Sequence, residues 1–324
     1  MTYIFDIYNE NPQICIENKK GTMAIIGETT MNADQKNCIG VRQLVPWLNR
    51  KHSHLWNMTN VFKKLRRIIP IETFELSLNT RQLSVKFLKE LIAIPELGTI
   101  QIVTIDGKQV ESDLLKILMD WCNEKVEFGI DNGCVVPLDY HHGKAFKFST
   151  VFYDDARWVK AEDLLTLENS DEVILNENNF TSKDINRLLK FWMESDLNMF
   201  REFHMWADIL DMKEVLKDIM HVKTSRDGQD YSIAKASQKL KFLSIHIGED
   251  LTLCLNSLDA SEESFQKEYK VLELMEQRKK LKMELEALEN GDKAQKLTME
   301  IRGLTKKLDS LCDYFNDESA IISL

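Results

Sequence analysis

The apolar positions of this chain switch repeatedly between two spacings. Near the start Tyr3, Phe5 and Ile7 alternate with other residues, Asn9-Glu10-Asn11-Pro12 supplies turn chemistry, and Ile14 and Ile16 alternate again before a second turn at Asn18-Lys19-Lys20-Gly21. A period of two puts one apolar face on each strand, so an N-terminal β-hairpin is predicted, with Met23 to Ile26 as a third strand. Residues 28–40 are polar and aperiodic and are read as a loop. From Val41 to Ile68 helical spacing takes over, in two pieces broken near His52 to His54, and Pro70 ends it.

A repeat follows. Six segments share the pattern apolar–x–apolar, most with a small polar residue after it: Leu76-x-Leu78-Asn79, Val103-x-Ile105-Asp106, Phe128-x-Ile130-Asp131, Phe146-x-Phe148-Ser149, Val173-x-Leu175-Asn176 and Phe203-x-Met205-Trp206. Their first residues are 27, 25, 18, 27 and 30 apart. Apolar pairs fall at a fixed distance after these segments: Phe87-Leu88 and Leu91-Ile92 after the first, Leu114-Leu115 and Leu118-Met119 after the second, Leu188-Leu189 after the fifth. Pairs so placed form a single helical stripe facing the strands. One short strand and one helix per twenty-odd residues is the signature of a solenoid. The fold class expected is α/β, an irregular leucine-rich-repeat-like curved sheet with helices on its outer face. Leu118 and Leu188 are expected at equivalent buried positions under that sheet. The 18-residue gap leaves no room for a helix between Ile130 and Phe146.

Residues 223–237 are read as a loop, and Leu240 to Ile247 and Leu251 to Leu255 as two further strands. The end of the chain differs in kind. Val271, Leu274, Arg278, Leu281, Leu285 and Leu288 alternate in steps of three and four, as do Leu297, Ile301, Leu304, Leu308 and Leu311 beyond Asn290-Gly291-Asp292. That spacing predicts a C-terminal antiparallel helical hairpin of coiled-coil type. The domains expected are therefore 1–258 and 262–324.

Composition narrows the function more than the fold. A net charge of −10 over 324 residues makes the chain a poor general binder of phosphate backbones, so no nucleic-acid partner is expected. The basic run Lys63-Lys64-Leu65-Arg66-Arg67 is read as the solvated face of a helix. No apolar run is long enough to span a membrane, and MTYIFDIYNENPQ lacks the basic-then-apolar order of a secretory signal, so a cytoplasmic or nuclear protein is expected. The six cysteines include no C-x-x-C pair and are read as free thiols.

Phosphate-cradling and nucleophile-elbow motifs are absent from the sequence. His141-His142 would point to opposite faces of a strand, a poor pair for one ion, and Asp154-Asp155 and Glu162-Asp163 suit loop and helix-start positions. No catalytic residue, metal or cofactor is expected. The remaining candidate is a recognition surface. The middle residue of each repeat would face the concave side, namely Ser77, Thr104, Gly129, Lys147, Ile174 and His204. Such a mixture of small, charged and apolar groups suits protein binding.

The stretch Phe180-Thr181-Ser182-Lys183-Asp184-Ile185-Asn186 through Leu189-Lys190-Phe191-Trp192, led in by Asp163-Leu164-Leu165 and Val173-Ile174-Leu175, resembles the type 2 F-box-associated domain expanded in nematodes. Asn11-Pro12-Gln13-Ile14 and the strands over 239–255 are similar to it as well, so the resemblance covers about residues 3–255. It implies a module that captures a protein for ubiquitination. In that family an F-box ahead of the domain binds a Skp-type adaptor of a cullin ubiquitin ligase. Residues 1–70 hold no F-box-like helix pair, so adaptor binding by this chain is not expected. The alternative is a scaffold protein acting through the C-terminal hairpin, without a ligase link.

Overall fold

The computed structural model describes residues 2–8, 11–18, 21–26, 38–39, 49, 51–69, 72–207, 210–226, 229–237, 241–261, 265–287, 292–316 and 322–323. Most of the expected loop over 28–40, the helical stretch before residue 49 and the reversal at Asn290-Gly291 lie outside the described residues. The chain is mixed α/β and folds into two compact units, 1–163 with 173–179, and 164–172 with 180–324.

In the first unit, β1 (Thr2–Tyr8), β2 (Asn11–Asn18) and β3 (Gly21–Ile26) pair antiparallel in sequence, and β4 (Cys38–Ile39) adds parallel to β3. On its other side β1 pairs parallel with β5 (Thr73–Asn79), which begins a parallel run of β6 (Ile102–Asp106), β7 (Glu127–Ile130) and β8 (Thr150–Asp155). Parallel neighbours need crossovers. Helix α1 (His54–Ile68) connects β4 to β5, α2 (Val85–Ile92) connects β5 to β6, and α3 (Ser112–Trp121) connects β6 to β7. Ser53 caps α1 by accepting from Trp56 N, and Arg66 and Arg67 sit in its last turn, where cations suit the helix dipole. Phe62 of α1 stacks on Phe74 at 4.5 Å and meets Tyr3 and Phe5 edge-on, which anchors β1 and β5 to one helix. The basic run leaves Lys63, Lys64, Arg66 and Arg67 exposed, as expected of a solvated helix face.

One strand is displaced from its expected place. Phe146 and Phe148 are buried but lie in a turn-rich segment ahead of β8, and the paired strand is built around Val151 and Tyr153 instead. Both pairs satisfy apolar–x–apolar. Thr150–Asp155 wins because its residues register against Glu127–Ile130, whereas Phe148 stacks on Phe128 at 4.7 Å as core filling. No helix intervenes between β7 and β8 among the described residues.

The small polar residues after the strands form a ladder at one end of the first unit. Asn79 accepts from Arg81 N, the hydroxyl of Thr80 lies 3.0 Å from Asp106 O and 2.9 Å from Gln109 O, and Asp154 accepts from Gly133 N and from the Asn176 amide. Gly107 (φ 134°) and Gly133 (φ 66°) take the turns that this ladder closes.

The second unit contains α5 (Ser182–Glu194), β10 (Phe200–Trp206), α6 (Met212–Val215), β11 (His221–Arg226), β12 (Gln229–Lys235), β13 (Lys241–Ile247), β14 (Thr252–Asp259), α7 (Gln266–Glu286), α8 (Asp292–Asn316) and β15 (Ile322–Ser323). Its strands lie in the order β10-β14-β13-β12-β11-β15, all antiparallel. Two further elements belong with the boundary: α4 (Ala161–Leu164) and β9 (Ser170–Glu177), whose residues 173–177 are part of the first unit and 170–172 of the second.

The expected loop over 223–237 is largely strand, in β11 and β12. Its polar residues hide the alternation, but Thr224, Ile233 and Ala234 are buried. Leu118 and Leu188 are buried as expected, at 0% and 1% exposure, each within its own unit. The division expected at 258–262 falls inside the second unit. Val271, Leu272, Leu274 and Met275 on the first half of α7 form one core with Val222, Ile233 and Phe242 of the sheet. Two cations hold α7 down: Arg226 pairs with the buried Glu268 at 2.6 Å and lies 4.1 Å over Phe265, and Lys235 pairs with Glu276 at 2.8 Å. The second half of α7 carries exposed Met283 and packs along α8, which presents Leu297, Leu304, Leu308 and Leu311 inward.

Candidate functional site

Two surfaces carry the residues singled out by sequence. In the first unit Ser77, Thr104, Gly129 and Phe152 are direct cross-strand partners, so they form one row on one face. Each is half-buried, between neighbours along its strand that are fully buried on the opposite face. Thr104 donates to Glu75 Oε1 at 3.1 Å, and the Phe152 side chain lies 3.9 Å from where a Cβ of Gly129 would stand. The missing side chain of Gly129 thus leaves a notch beside an aromatic ring. Ile174 takes the corresponding outward position on β9, between buried Val173 and Leu175. Lys147 does not belong to the row: it lies in the turn before β8, and Phe152 occupies the place assigned to it. The signal for Phe152 was present in the alternation Thr150-Val151-Phe152-Tyr153.

The motif around Phe180–Trp192 is helix α5, and four of its polar residues have structural tasks. Thr181 and Asp184 make a reciprocal capping box, Asp184 N to Thr181 Oγ1 at 3.3 Å and Thr181 N to Asp184 Oδ2 at 2.8 Å. Ser182 Oγ accepts from Asp211 N at 2.9 Å, and the Asn186 amide donates to the carbonyls of Val215 and Lys217 at 2.8 and 2.9 Å. Ile185, Leu188, Leu189 and Trp192 form the buried stripe. The motif therefore fixes the start of α5 and ties α6 to it.

The second surface surrounds His204. His204 on β10 pairs with Cys254 on β14, which pairs in turn with His246 on β13, so the three side chains share one face. Glu202, Asn256 and Ser244 form the next row on that same face. Following it across β12 and β11 leads to Ile233 and Val222 under α7. One face of the second sheet is thus apolar where α7 covers it and polar toward β10. At the transition lies a cavity of about 620 Å³ lined by Arg201, Glu202, Lys241, Ser244, His246 and Asn256 among others.

The electrostatics of this surface keep Cys254 in its thiol form and His246 neutral. Burial pushes the Cys254 thiol up from its ordinary value, with Asp250 adding to the effect, and Cys254 lies within donating distance, 3.7 Å, of the Thr252 carbonyl. Burial pushes the His246 imidazole down, and the nearby His204 lowers it further. In the first unit the consecutive residues His141 and His142 pair with separate carboxylates, Asp163 at 3.0 Å and Asp120 at 3.1 Å, and do not converge. Among the described residues no helix is long and apolar enough to cross a membrane.

Residues 143–205 match the family model described as F-box associated. The matched range runs from the turn before β8 to Met205 on β10 and includes the whole of α5. No curated protein matches the chain, and no solved structure does.

Proposed function

We propose that this chain is a non-catalytic protein-recognition module, related to the substrate-capturing domain of F-box receptors of cullin ubiquitin ligases. The single observation that carries the reading is the F-box-associated match over residues 143–205, whose conspicuous polar residues are occupied in capping and tying helices rather than in chemistry. A general role in substrate recognition follows from that match. The finer parts of the reading are that the parallel strand–helix units of the first unit act as an irregular leucine-rich-repeat-like solenoid, and that the row Ser77, Thr104, Gly129 and Phe152, with Ile174, is the contact surface. A notch beside an aromatic ring, flanked by hydroxyls, offers an apolar anchor with a polar rim, the usual composition of a protein interface. The target is a protein, bound without cofactor or metal at that surface, in the cytoplasm or nucleus.

The test is affinity capture from cells with the tagged full chain, compared with Thr104→Arg and Phe152→Asp variants whose circular dichroism matches the parent. A reproducible set of proteins lost in both variants, recovered together with cullin-ligase subunits, supports the reading. Retention of that set in both variants, with loss only when residues 292–324 are removed, overturns it and favours a scaffold acting through the C-terminal helices.

A further inference from the structure

The surface around His204 brings together three side chains of types that can ligate a metal, two of them from one strand and the third from 30 residues earlier. Glu202 and His204 are two residues apart on β10 and so face the same side. Glu172 arrives from β9, carried alongside by the backbone bonds Asn169 N to Asn198 O at 2.6 Å and Ser170 N to Met199 O at 3.1 Å. One nitrogen of His204 and one oxygen of each glutamate lie within 4.8 Å of one another, and all three residues are half-buried.

The separations distinguish two explanations. His204 Nε2 is 3.6 Å from Glu202 Oε2 and 3.9 Å from Glu172 Oε1. Both are too long for hydrogen bonds, which end near 3.2 Å. Two ligands bound to one tetrahedral zinc at roughly 2.1 Å each stand about 3.4 Å apart. The His204 nitrogen therefore needs to close by only a few tenths of an ångström on each glutamate, and the two glutamate oxygens, within 4.8 Å of each other, by no more than about 1.4 Å, for the three to share an ion. Arg201 pairs with Glu202 Oε1, which leaves Oε2 turned to His204. That is the arrangement of an outer-shell partner that orients a ligand. Through Glu202 the cluster borders the cavity, which also holds His246, whose buried Nδ1 has no hydrogen-bond partner among the described residues.

We propose that Glu172, Glu202 and His204 form a site for a divalent transition-metal ion of the zinc class. An imidazole with two carboxylates suits such an ion, whereas calcium calls for six to eight oxygens and magnesium for an octahedron rich in water. Three protein ligands leave a coordination position free for water or for a carboxylate or imidazole of a bound partner. The ion also offsets the repulsion between the two glutamates, which Arg201 relieves only in part. This inference is independent of the capture reading, since it concerns the second unit and stands with any function of the row on the first.

Calorimetry with zinc chloride on the chelator-treated full chain tests it, with visible absorption of the cobalt(II) form reporting the ligand geometry. One ion per chain is expected, with a dissociation constant on the order of 10 μM or tighter. Glu172→Gln and His204→Ala should each weaken binding by about tenfold or more, while His141→Gln, at an exposed position in the first unit, leaves it unchanged. The cobalt form of the parent should show the strong visible bands of a low-coordinate site, and these should fade in Glu172→Gln. Absence of binding at about 100 μM zinc overturns the proposal. So does parent-like affinity in Glu172→Gln, a conservative change at a half-buried position that keeps the result readable if His204→Ala unfolds.

Discussion

Gly107→Ala should destabilise the first unit strongly, and the size of the effect can be worked from two contacts. Gly107 has φ of 134°, a region that residues with a side chain seldom enter, and a Cβ there would stand 2.4 Å from Thr80 Oγ1 and 3.3 Å from Thr80 N. The backbone term costs about 1–3 kcal/mol. The steric term cannot be relieved by a simple rotation, because the Thr80 hydroxyl is buried and sits between the carbonyls of Asp106 and Gln109 at 3.0 and 2.9 Å. Displacing it leaves those carbonyls short of a donor, at about 1–3 kcal/mol. The single variant should therefore lose about 2–6 kcal/mol, a large share of the 5–15 kcal/mol that holds an ordinary domain together. The two terms separate in a double-mutant cycle. Thr80→Ala removes the clashing atom, so Gly107→Ala in that background should pay mainly the backbone term, and the pair should cost less than the sum of the singles by about 1–2 kcal/mol. Urea unfolding followed by tryptophan fluorescence and far-ultraviolet circular dichroism gives the midpoints, compared at unchanged slope. A loss below about 0.5 kcal/mol in Gly107→Ala, or strict additivity in the cycle, would refute the close-approach account.

Leu118→Ala and Leu188→Ala remove fully buried side chains from the two units and should each cost about 2–5 kcal/mol in the same assay; a loss under 1 kcal/mol would mean the stripe is not the core it is taken to be. Asn186→Ala strips two donors from the carbonyls of Val215 and Lys217 and should cost about 1–3 kcal/mol, with faster hydrogen exchange at α6 than at α5 as its local mark. The carboxyl of Asp155 is held below its ordinary range, first by the Arg157 guanidinium and also by the Arg157 backbone N–H, against burial. Its folded-state value is therefore lower than its unfolded one, so this stabilisation is present above about pH 4 and lost as the pH falls below it; Arg157→Gln should flatten the acid limb of the stability profile, and an unchanged limb would count against the pair. Burial pushes the thiols of Cys122 and Cys134 up to about 12 and about 11, so iodoacetamide at about pH 8 should leave both unlabelled in the folded chain and label them once it is denatured; mass spectrometry reads the sites, and rapid native labelling would contradict their burial.

Local spacing was sufficient for a good deal of this protein. The apolar–x–apolar pattern marks β5, β6, β7, β9 and β10, because a buried strand must place alternate residues on one face whatever else it meets. The stripes of α2, α3 and α5 were legible for the same reason at period 3.6, and the residues Thr181 and Asp184 announce a helix start through bonds that close within four residues. What local spacing could not decide was which of two equivalent patterns becomes a strand. Phe146-x-Phe148 and Val151-x-Tyr153 are alike in sequence, and only the register against β7 chooses between them, which puts Phe152 rather than Lys147 in the half-buried row. Nor could it show that β11 and β12 are strands, since their polar residues are tolerated only because neighbours supply the ladder and α7 covers one side. The spacing of α7 was readable as a seam, but half of that seam closes on the sheet, because Phe242, Ile233 and Val222 present apolar surface that has to be buried by something. The cluster of Glu172, Glu202 and His204 shows the division most clearly. The two-residue step from Glu202 to His204 implies a shared face on any strand, while the 30-residue step from Glu172 to Glu202 gains meaning only when backbone hydrogen bonds lay one strand beside the other. Side-chain direction is a property of the local backbone; proximity between distant residues is a property of pairing, which depends on the whole chain reaching its minimum together.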